Sequence, residues 1–320
     1  MPVSSATSVR PQAWHIVFSG GVHGAETGGD PLWLAVPWLA GEGYEALFPE
    51  AVLLRREPGL DLYQAGDLLV GHASESWLGS DLAARAERLY GRVLAACRGR
   101  QVYRMWNYVP RINEITDGLE NYRAFCVGRS RAFEMDFGRG FHHQLSAASA
   151  VGSEGDRLDT VFVAGAAKPR HVENPEQVPA YLYPAQHGPR PPSFARATVA
   201  SVAGRRLTFV SGTAAIKGHE TVAAQALDVQ LDCTLDNLRL ISRAADAGDR
   251  LGADRGWTRH FKVYLRAADD LSAVRARLER DWLRPSDHVV YLRADICRAE
   301  LKLEIEATLF GAAGSGTSAH

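Results

Sequence analysis

The second half of the chain shows two clear spacings of apolar residues. In two segments, residues 221–247 and 269–283, apolar side chains recur three and four positions apart, which predicts helices. Elsewhere apolar and polar residues alternate or form short apolar runs, as in strands. Strands are predicted at 206–216, 259–267, 288–296 and 300–310. The predicted order is therefore strand, helix, strand, helix, strand, strand.

The first half repeats part of this order. A helix is predicted at 81–99, a strand at 101–110 and a second helix at 119–137, with a break at Gly128. Because helix, strand and helix recur at similar lengths, the pattern predicts a duplicated α+β unit, with helices packed on one face of mixed sheets.

A proline-rich segment separates the two predicted halves. The first half is expected to cover residues 1–167 and the second half 168–312, followed by a disordered tail at 313–320. The second half begins with residues 168–197, which are rich in proline and have no period. This segment is either a surface linker or a loop that helps to close a pocket. Its aromatic and basic residues include Tyr181, Tyr183, Arg190, Phe194 and Arg196.

Composition and charge narrow the classes of function. The 320 residues are 46% hydrophobic and carry a net charge of −1, which gives no reason to expect a nucleic acid or a membrane surface as partner. No apolar run approaches the roughly 20 residues that span a bilayer, and the first ten residues lack the apolar core of a secretion signal. The four cysteines are scattered. We therefore expect a cytoplasmic protein with reduced thiols.

The sequence contains no recognisable metal or nucleotide motif. No HExxH occurs, and the cysteines and histidines do not have zinc-finger spacing. The glycine-rich segment 18–29 lacks both the GxxxxGK[ST] and the GxGxxG patterns. We therefore expect no metal and no cofactor.

The last predicted strand carries the most informative polar residues. Two-residue alternation places Glu304 and Glu306 on the same face, and Cys297 lies in the bend before the strand. The two carboxylates lie either on the solvated face of an antiparallel sheet or beside a pocket. Cys297 is either a small buried apolar residue or a pocket residue.

Longer motifs resemble two known families. "FVSGTAAI", "CTLDNL", "FKVYLR" and "KLEIEA" in the second half resemble the RidA/YjgF fold. The whole chain resembles the chorismatases, which consist of two RidA-like (chorismate-mutase-like) units in one chain. That resemblance rests on segments 104–114, 119–133, 187–197, 209–221 and 291–307. It implies an enzyme that acts on the small molecule chorismate. One position departs from the family, since His187 stands where a tyrosine is expected.

The resemblance implies an acid and a set of anion-binding groups. Chorismate is a dianion with an enolpyruvyl ether, so its enzyme must bind two carboxylates and protonate the ether's methylene carbon. The family match makes Glu304 the general acid, while Glu306 is expected at the surface or in a supporting role. The residues implied to bind substrate are Tyr122 and Arg131, with Arg129 as the alternative to Arg131, then Tyr183, Arg190, Ser211, Thr213 and Ala214.

Two residues indicate which product is formed, and they point to different branches of the family. Cys297 precedes Glu304 by seven residues, as in the chorismatases that make 3-hydroxybenzoate. Ala214 follows "SGT", where that branch has glycine and the hydrolytic branch has alanine. The cysteine is given more weight because it is chemically special. A third branch, which makes mixtures of 3- and 4-hydroxybenzoate, is compatible with a mixed set.

Three other outcomes stay open at this stage. The chain could be a hydrolytic chorismatase that yields a dihydroxycyclohexadiene carboxylate. It could be a RidA-like imine deaminase, with Arg293 as the arginine that such enzymes place before the acidic strand. It could also be a non-catalytic anion binder. A duplicated chain can make internally the contacts that single-domain relatives make between subunits, so we expect a monomer.

Overall fold

Two mixed sheets and four α-helices account for most of the part of the chain that the structure describes. The computed structural model describes residues 14–20, 31–224 and 226–313. Most of the glycine-rich segment and of the predicted tail lies outside these residues. The helices are α1 Leu82–Ala96, α2 Asn121–Phe137, α3 Leu227–Ala244 and α4 Leu271–Asp281. None of the described helices has the length and apolar character needed to cross a membrane.

The strands lie close to the positions that periodicity predicts, and β7 matches its predicted bounds. In chain order they are β1 Ile16–Ser19, β2 Leu32–Gly41, β3 Tyr44–Glu45, β4 Val52–Glu57, β5 Leu60–Ala65, β6 Leu68–Ser76, β7 Gln101–Pro110, β8 Ile115–Thr116, β9 Leu119–Glu120, β10 Ala147–Ser153, β11 Arg157–Gly165, β12 Arg170–Val172, β13 Ala197–Val202, β14 Arg205–Thr213, β15 Ile216–Lys217, β16 Glu220–Thr221, β17 Thr258–Leu265, β18 His288–Arg293 and β19 Leu303–Ala313.

Both large sheets are mixed. One has six strands in the order β10-β7-β11-β6-β5-β4, in which only β10 and β7 are parallel. The other has nine strands in the order β12-β13-β14-β19-β17-β18-β2-β1-β3. In this sheet the β17–β18 and β1–β2 pairs are parallel. The closing strand β19 lies between β14 and β17, well inside the sheet.

The layers are helix, sheet, sheet and helix. One apolar cluster joins α1 and α2 to the six-stranded sheet, and a second joins α3 and α4 to the nine-stranded sheet. A third cluster lies between the sheets, where Trp106 of β7 meets Phe209 of β14 edge to face at 6.2 Å. The predicted α+β class, with helices on one face of each mixed sheet, is confirmed.

Two sequence-based predictions differ from the structure. The strands between Ile16 and Glu45 were assigned to the first half, yet they extend the sheet of the second half. Helix α2 is also continuous at Gly128. A Cβ there would lie 2.0 Å from the Ala83 carbonyl oxygen of α1, so this glycine permits close packing of two helices. The boundary between residues 167 and 168 otherwise stays a prediction.

Candidate active site

A cavity of about 500 Å³ opens where the two sheets and the proline-rich segment meet. Its walls come from β10, β14 and β19, from the start of α2, and from the loop between β18 and β19. Four arginines line it, which makes it suitable for an anionic ligand. They are Arg123, Arg129, Arg196 and Arg298.

Glu304 is the buried acid of this cavity. It pairs with Tyr264 across β19 and β17, and only 3% of its surface is exposed. Its Oε1 atom has no hydrogen-bond partner among the described residues. Burial, and then the neighbouring Glu306 carboxylate, raise the pKa of Glu304 to about 8. The side chain is therefore neutral at pH 7 and can donate a proton.

Gly212 on β14 makes room for this carboxyl group. A Cβ at position 212 would lie 1.9 Å from the Glu304 Oε1 atom. Any side chain there would push the carboxyl group out of its position against the strand. The glycine of the "SGT" segment is thus needed to make room for Glu304.

Glu306 lies on the same face but has the opposite protonation state. The Arg104 guanidinium donates a hydrogen bond of 2.6 Å to its Oε2 atom, and the Lys262 ammonium lies 3.0 Å from Oε1. Burial alone would raise the pKa of Glu306, but Lys262 and Arg104 together lower it. Glu306 is fully buried, so the expectation that it lies at the surface is wrong and its supporting role is retained.

Lys262 continues this network to the N-terminal strands. Its Nζ donates to Glu45 Oε2 at 2.7 Å. Burial would lower the pKa of Lys262, but the two carboxylates raise it. Of the two interpretations of the Glu304 and Glu306 carboxylates, the solvated face is therefore excluded, because Arg104 of the six-stranded sheet contacts Glu306 and both carboxylates are buried.

Arg129 is a buried cation with no ionic partner among the described residues. It is 2% exposed, lies over the rings of Tyr90 and Phe125, and makes no hydrogen bond or ion pair within that part of the chain. A buried charge is costly unless it is paired, so an arginine in this state at a cavity wall is ready to bind an anion.

Tyr183 connects two further arginines. Arg196 donates a hydrogen bond of 2.7 Å to the Tyr183 hydroxyl, and the Arg298 guanidinium lies 5.4 Å from the centre of its ring. The proline-rich segment thus contributes directly to the cavity, which supports the second of its two interpretations. Arg298 and Gly212 were not identified from the sequence, and no local pattern distinguishes them.

Tyr122 and Cys297 both line the cavity. Burial, followed by the nearby Glu304, raises the pKa of the Cys297 thiol to about 12. Burial also raises the pKa of Tyr122 well above its ordinary value. Both groups therefore stay protonated near pH 7, and Cys297 is not a thiolate nucleophile.

The loop that carries Cys297 is held by Arg266. Its guanidinium donates to the carbonyl oxygens of Ile296, Arg298 and Leu301 at 3.3, 2.9 and 2.8 Å. It also forms a 2.7 Å ion pair with Asp295. An arginine that satisfies several carbonyl groups in one loop fixes the loop's shape, and with it the position of the thiol.

Two predicted arginines lie outside the cavity. Arg131 is exposed and lies 3.7 Å from Glu87 of α1, so the geometry favours the alternative, Arg129, as the arginine that faces the cavity. Arg190 is also exposed and pairs with Glu134 of α2 at 3.1 Å. It attaches the proline-rich segment to that helix.

Two predicted hydroxyl groups are used within the chain. Ser211 donates to the Ala195 carbonyl oxygen at 2.5 Å and accepts from the Ala148 amide at 2.9 Å. Thr213 donates to the Ser211 carbonyl oxygen at 2.9 Å. Neither residue lines the cavity, whereas Ala214 does.

Comparison with known proteins supports the sequence resemblance. Residues 49–164 match the model of the N-terminal domain of FkbO/Hyg5-like chorismatases. A 3-hydroxybenzoate synthase from Streptomyces hygroscopicus is 40% identical over 221 residues, which are 65% of this chain and 63% of that protein. A chorismatase from Streptomyces rapamycinicus is 41% identical over 216 residues, which are 64% of this chain and 63% of that protein. The aligned part of this chain thus spans about 63% of the length of these curated relatives.

The overall fold is also that of a solved chorismatase. The structural alignment covers 96% of this chain and 95% of the chain in that crystal structure, with a TM-score of 0.79 and 28% sequence identity. The agreement in fold extends beyond the segment matched by the family model, and it includes both sheets. The resemblance inferred from the sequence is thereby confirmed: part of the chain is similar to the N-terminal domain of FkbO/Hyg5-like chorismatases, and the fold is similar to that of a solved chorismatase.

Proposed function

We propose that this chain converts chorismate into 3-hydroxybenzoate and pyruvate, with Glu304 as the general acid. The observation that carries the proposal is the neutral, buried carboxyl group of Glu304 in a cavity that also holds the unpaired Arg129. A carboxylic acid and a carboxylate-binding cation are the two groups that cleavage of an enolpyruvyl ether requires. The names of the relatives favour the same substrate.

Different arginines bind the two carboxylates of the substrate. Arg129 binds one of them from the α2 side of the cavity. Arg196 and Arg298 bind the other from the opposite side, where Tyr183 orients both guanidinium groups. Arginine suits this role because its planar fork binds a carboxylate through two parallel hydrogen bonds.

The reaction begins with proton transfer from Glu304. Its O–H bond breaks as a C–H bond forms at the methylene carbon, which gives an oxocarbenium-like centre. The ether bond to the ring then breaks, and the ether oxygen becomes the keto oxygen of pyruvate. The ring hydroxyl oxygen bonds to the vacated carbon, forming an arene oxide, and its proton returns to the Glu304 carboxylate. Opening of the arene oxide gives 3-hydroxybenzoate, so no water is consumed.

Glu306 supports the acid by staying ionised. Arg104 and Lys262 hold its negative charge, and that charge disfavours ionisation of Glu304 on the same strand. Pairs of carboxylates with separated pKa values are a common arrangement for acid and base roles.

The raised pKa of Glu304 predicts how activity depends on pH. Because the general acid must be protonated, and its pKa in the free protein is raised to about 8, kcat/KM is expected to be nearly constant up to pH 7 and to fall at higher pH. Well above the pKa the decrease approaches tenfold per pH unit. Pyruvate release measured between pH 6 and 10 checks this, and a rate that rises with pH would contradict the role of an acid.

Replacing Cys297 with alanine is expected to change the product more than the rate. The protonated thiol lines the cavity wall, and alanine leaves space there for a water molecule. Chromatography of the products should show a shift from 3-hydroxybenzoate toward the dihydroxycyclohexadiene carboxylate. An unchanged product ratio would remove Cys297 from this role and leave the choice to residues such as Ala214.

The first experiment is incubation with chorismate followed by separate assays for pyruvate and aromatic product. Pyruvate with 3-hydroxybenzoate supports the proposal, and pyruvate with the diol supports the hydrolytic alternative. A non-catalytic binder would release neither product. The imine deaminase alternative is disfavoured, because Arg293 is exposed, pairs with Glu154 at 3.3 Å and lies outside the cavity. The monomeric state and the cytoplasmic location stay predictions.

A further inference from the structure

Three metal-ligating side chains meet at the mouth of the cavity. His187 belongs to a short helical turn, Ala185–His187, in the proline-rich segment. His219 and Glu220 belong to the hairpin formed by β15 and β16. The His187 Nε2 atom lies 3.0 Å from His219 Nδ1, which in turn lies 2.9 Å from Glu220 Oε1. All three atoms lie within 4.8 Å of one another.

When both imidazoles are neutral, there are too few N–H protons to place a good hydrogen bond between each neighbouring pair of these three atoms. With neutral imidazoles, a proton on His219 Nδ1 is shared between His187 and the carboxylate of Glu220. If the proton is instead on His187 Nε2, the lone pair of His219 Nδ1 faces the Glu220 oxygen without a donor. A divalent cation at the same point would contact all three lone pairs at once.

We propose that His187 Nε2, His219 Nδ1 and Glu220 Oε1 form a Zn²⁺ site at the mouth of the cavity. Zinc binds imidazole nitrogen and carboxylate oxygen at roughly 2.0–2.2 Å, so two ligands in tetrahedral geometry lie about 3.3 Å apart. The spacings of 3.0 and 2.9 Å need to open by a few tenths of an ångström, and the His187–Glu220 spacing, which lies within 4.8 Å, needs to adjust to the same value. Two imidazoles favour zinc over the harder cations magnesium and calcium.

Surrounding contacts hold one ligand side chain and the backbone of the hairpin before any metal arrives. Gln186 Nε2 donates to Glu220 Oε1 at 2.9 Å. Arg298 donates to the His219 carbonyl oxygen at 2.9 Å and to the Thr221 hydroxyl at 3.2 Å. Such outer contacts fix the direction of metal-binding side chains and contribute to affinity.

The site would join two separate parts of the cavity's rim. His187 comes from the proline-rich segment and Glu220 from the hairpin, and both line the cavity. A bound zinc ion would therefore hold these two segments together. Binding of the metal is independent of the proposed reaction, so it can be tested without a substrate.

The test is equilibrium dialysis of the untagged, chelator-treated protein against Zn²⁺, followed by metal analysis. We expect one zinc ion per chain, with an affinity at least about tenfold lower in His219→Gln and in His187→Gln. His143→Gln is the matched control, because His143 is an exposed histidine outside the cluster, and it should bind as the unchanged chain does. A hundredfold excess of Mg²⁺ should not displace the zinc.

A second measurement does not depend on the variants folding. Zinc added to the unchanged, nitrogen-labelled chain should shift the imidazole nitrogen resonances of His187 and His219 and leave those of His143 in place. The proposal is overturned if the unchanged chain does not bind zinc, if His219→Gln retains full affinity, or if the shifts occur at other histidines.

Discussion

Replacing Glu304 with glutamine is expected to lower the rate of pyruvate release from chorismate by about 10²–10⁴-fold. Glutamine has nearly the same shape and fits the same space against Gly212, so the fold is expected to remain intact. It has no acidic proton, and protonation of the methylene carbon would then depend on water. Because Glu304 is already neutral at pH 7, the substitution removes no buried charge.

The matched control for this variant is Glu300→Gln. Glu300 is exposed, lies in the loop just before β19 and reaches the cavity wall. Its backbone carbonyl accepts a 2.9 Å hydrogen bond from Gln230, which the substitution leaves in place. This variant should keep most of the activity. Circular dichroism and thermal unfolding check that both variants are folded. Near-normal turnover in Glu304→Gln would exclude Glu304 as the general acid.

The Arg129→Met variant is expected to bind substrate far more weakly without loss of stability. Loss of a buried, charge-paired contact to a ligand costs about 2–5 kcal/mol, or roughly 30- to 5,000-fold in kcat/KM. In the free protein, however, this guanidinium has no ionic partner among the described residues. Methionine can pack against Tyr90 and Phe125, so the midpoint of thermal unfolding should be unchanged or higher.

Arg131→Met is the control on the same helix. Arg131 is exposed and contacts Glu87 only at 3.7 Å, so this variant should change neither kcat/KM nor stability by much. Steady-state kinetics and thermal unfolding of the two variants separate the roles of the two arginines. Equal losses of activity in both would contradict the assignment of Arg129 as the substrate-binding residue.

The sequence predicted the elements of the fold better than their packing. Strand β7 and the helices follow from local spacing, because the apolar face of each element is marked along its own sequence. The same alternation correctly placed Glu304 and Glu306 on one face of β19. It could not show that a second sheet covers that face, since this contact joins residues about 200 positions apart, such as Arg104 and Glu306.

The candidate site was predictable only where a long motif included it. Glu304, Cys297 and Tyr122 came from the family resemblance, and the cavity contains them. The sequence could not decide between Arg129 and Arg131, because residues two positions apart lie on roughly opposite sides of a helix and only one of them faces the cavity. Which side is buried depends on how α2 packs against α1, and the residues of α2 alone do not specify that.

The buried network also limits how the chain can be divided. Glu45 lies upstream of residues 49–164, which match the family model, yet it pairs with Lys262 of the second half. A fragment that began at residue 49 would lose this carboxylate and the apolar side chains of β1 and β2 between the sheets. Lys262 would then share its charge with Glu306 alone. The matched segment is therefore a unit of sequence similarity, and the strands before it belong to the nine-stranded sheet of the second half.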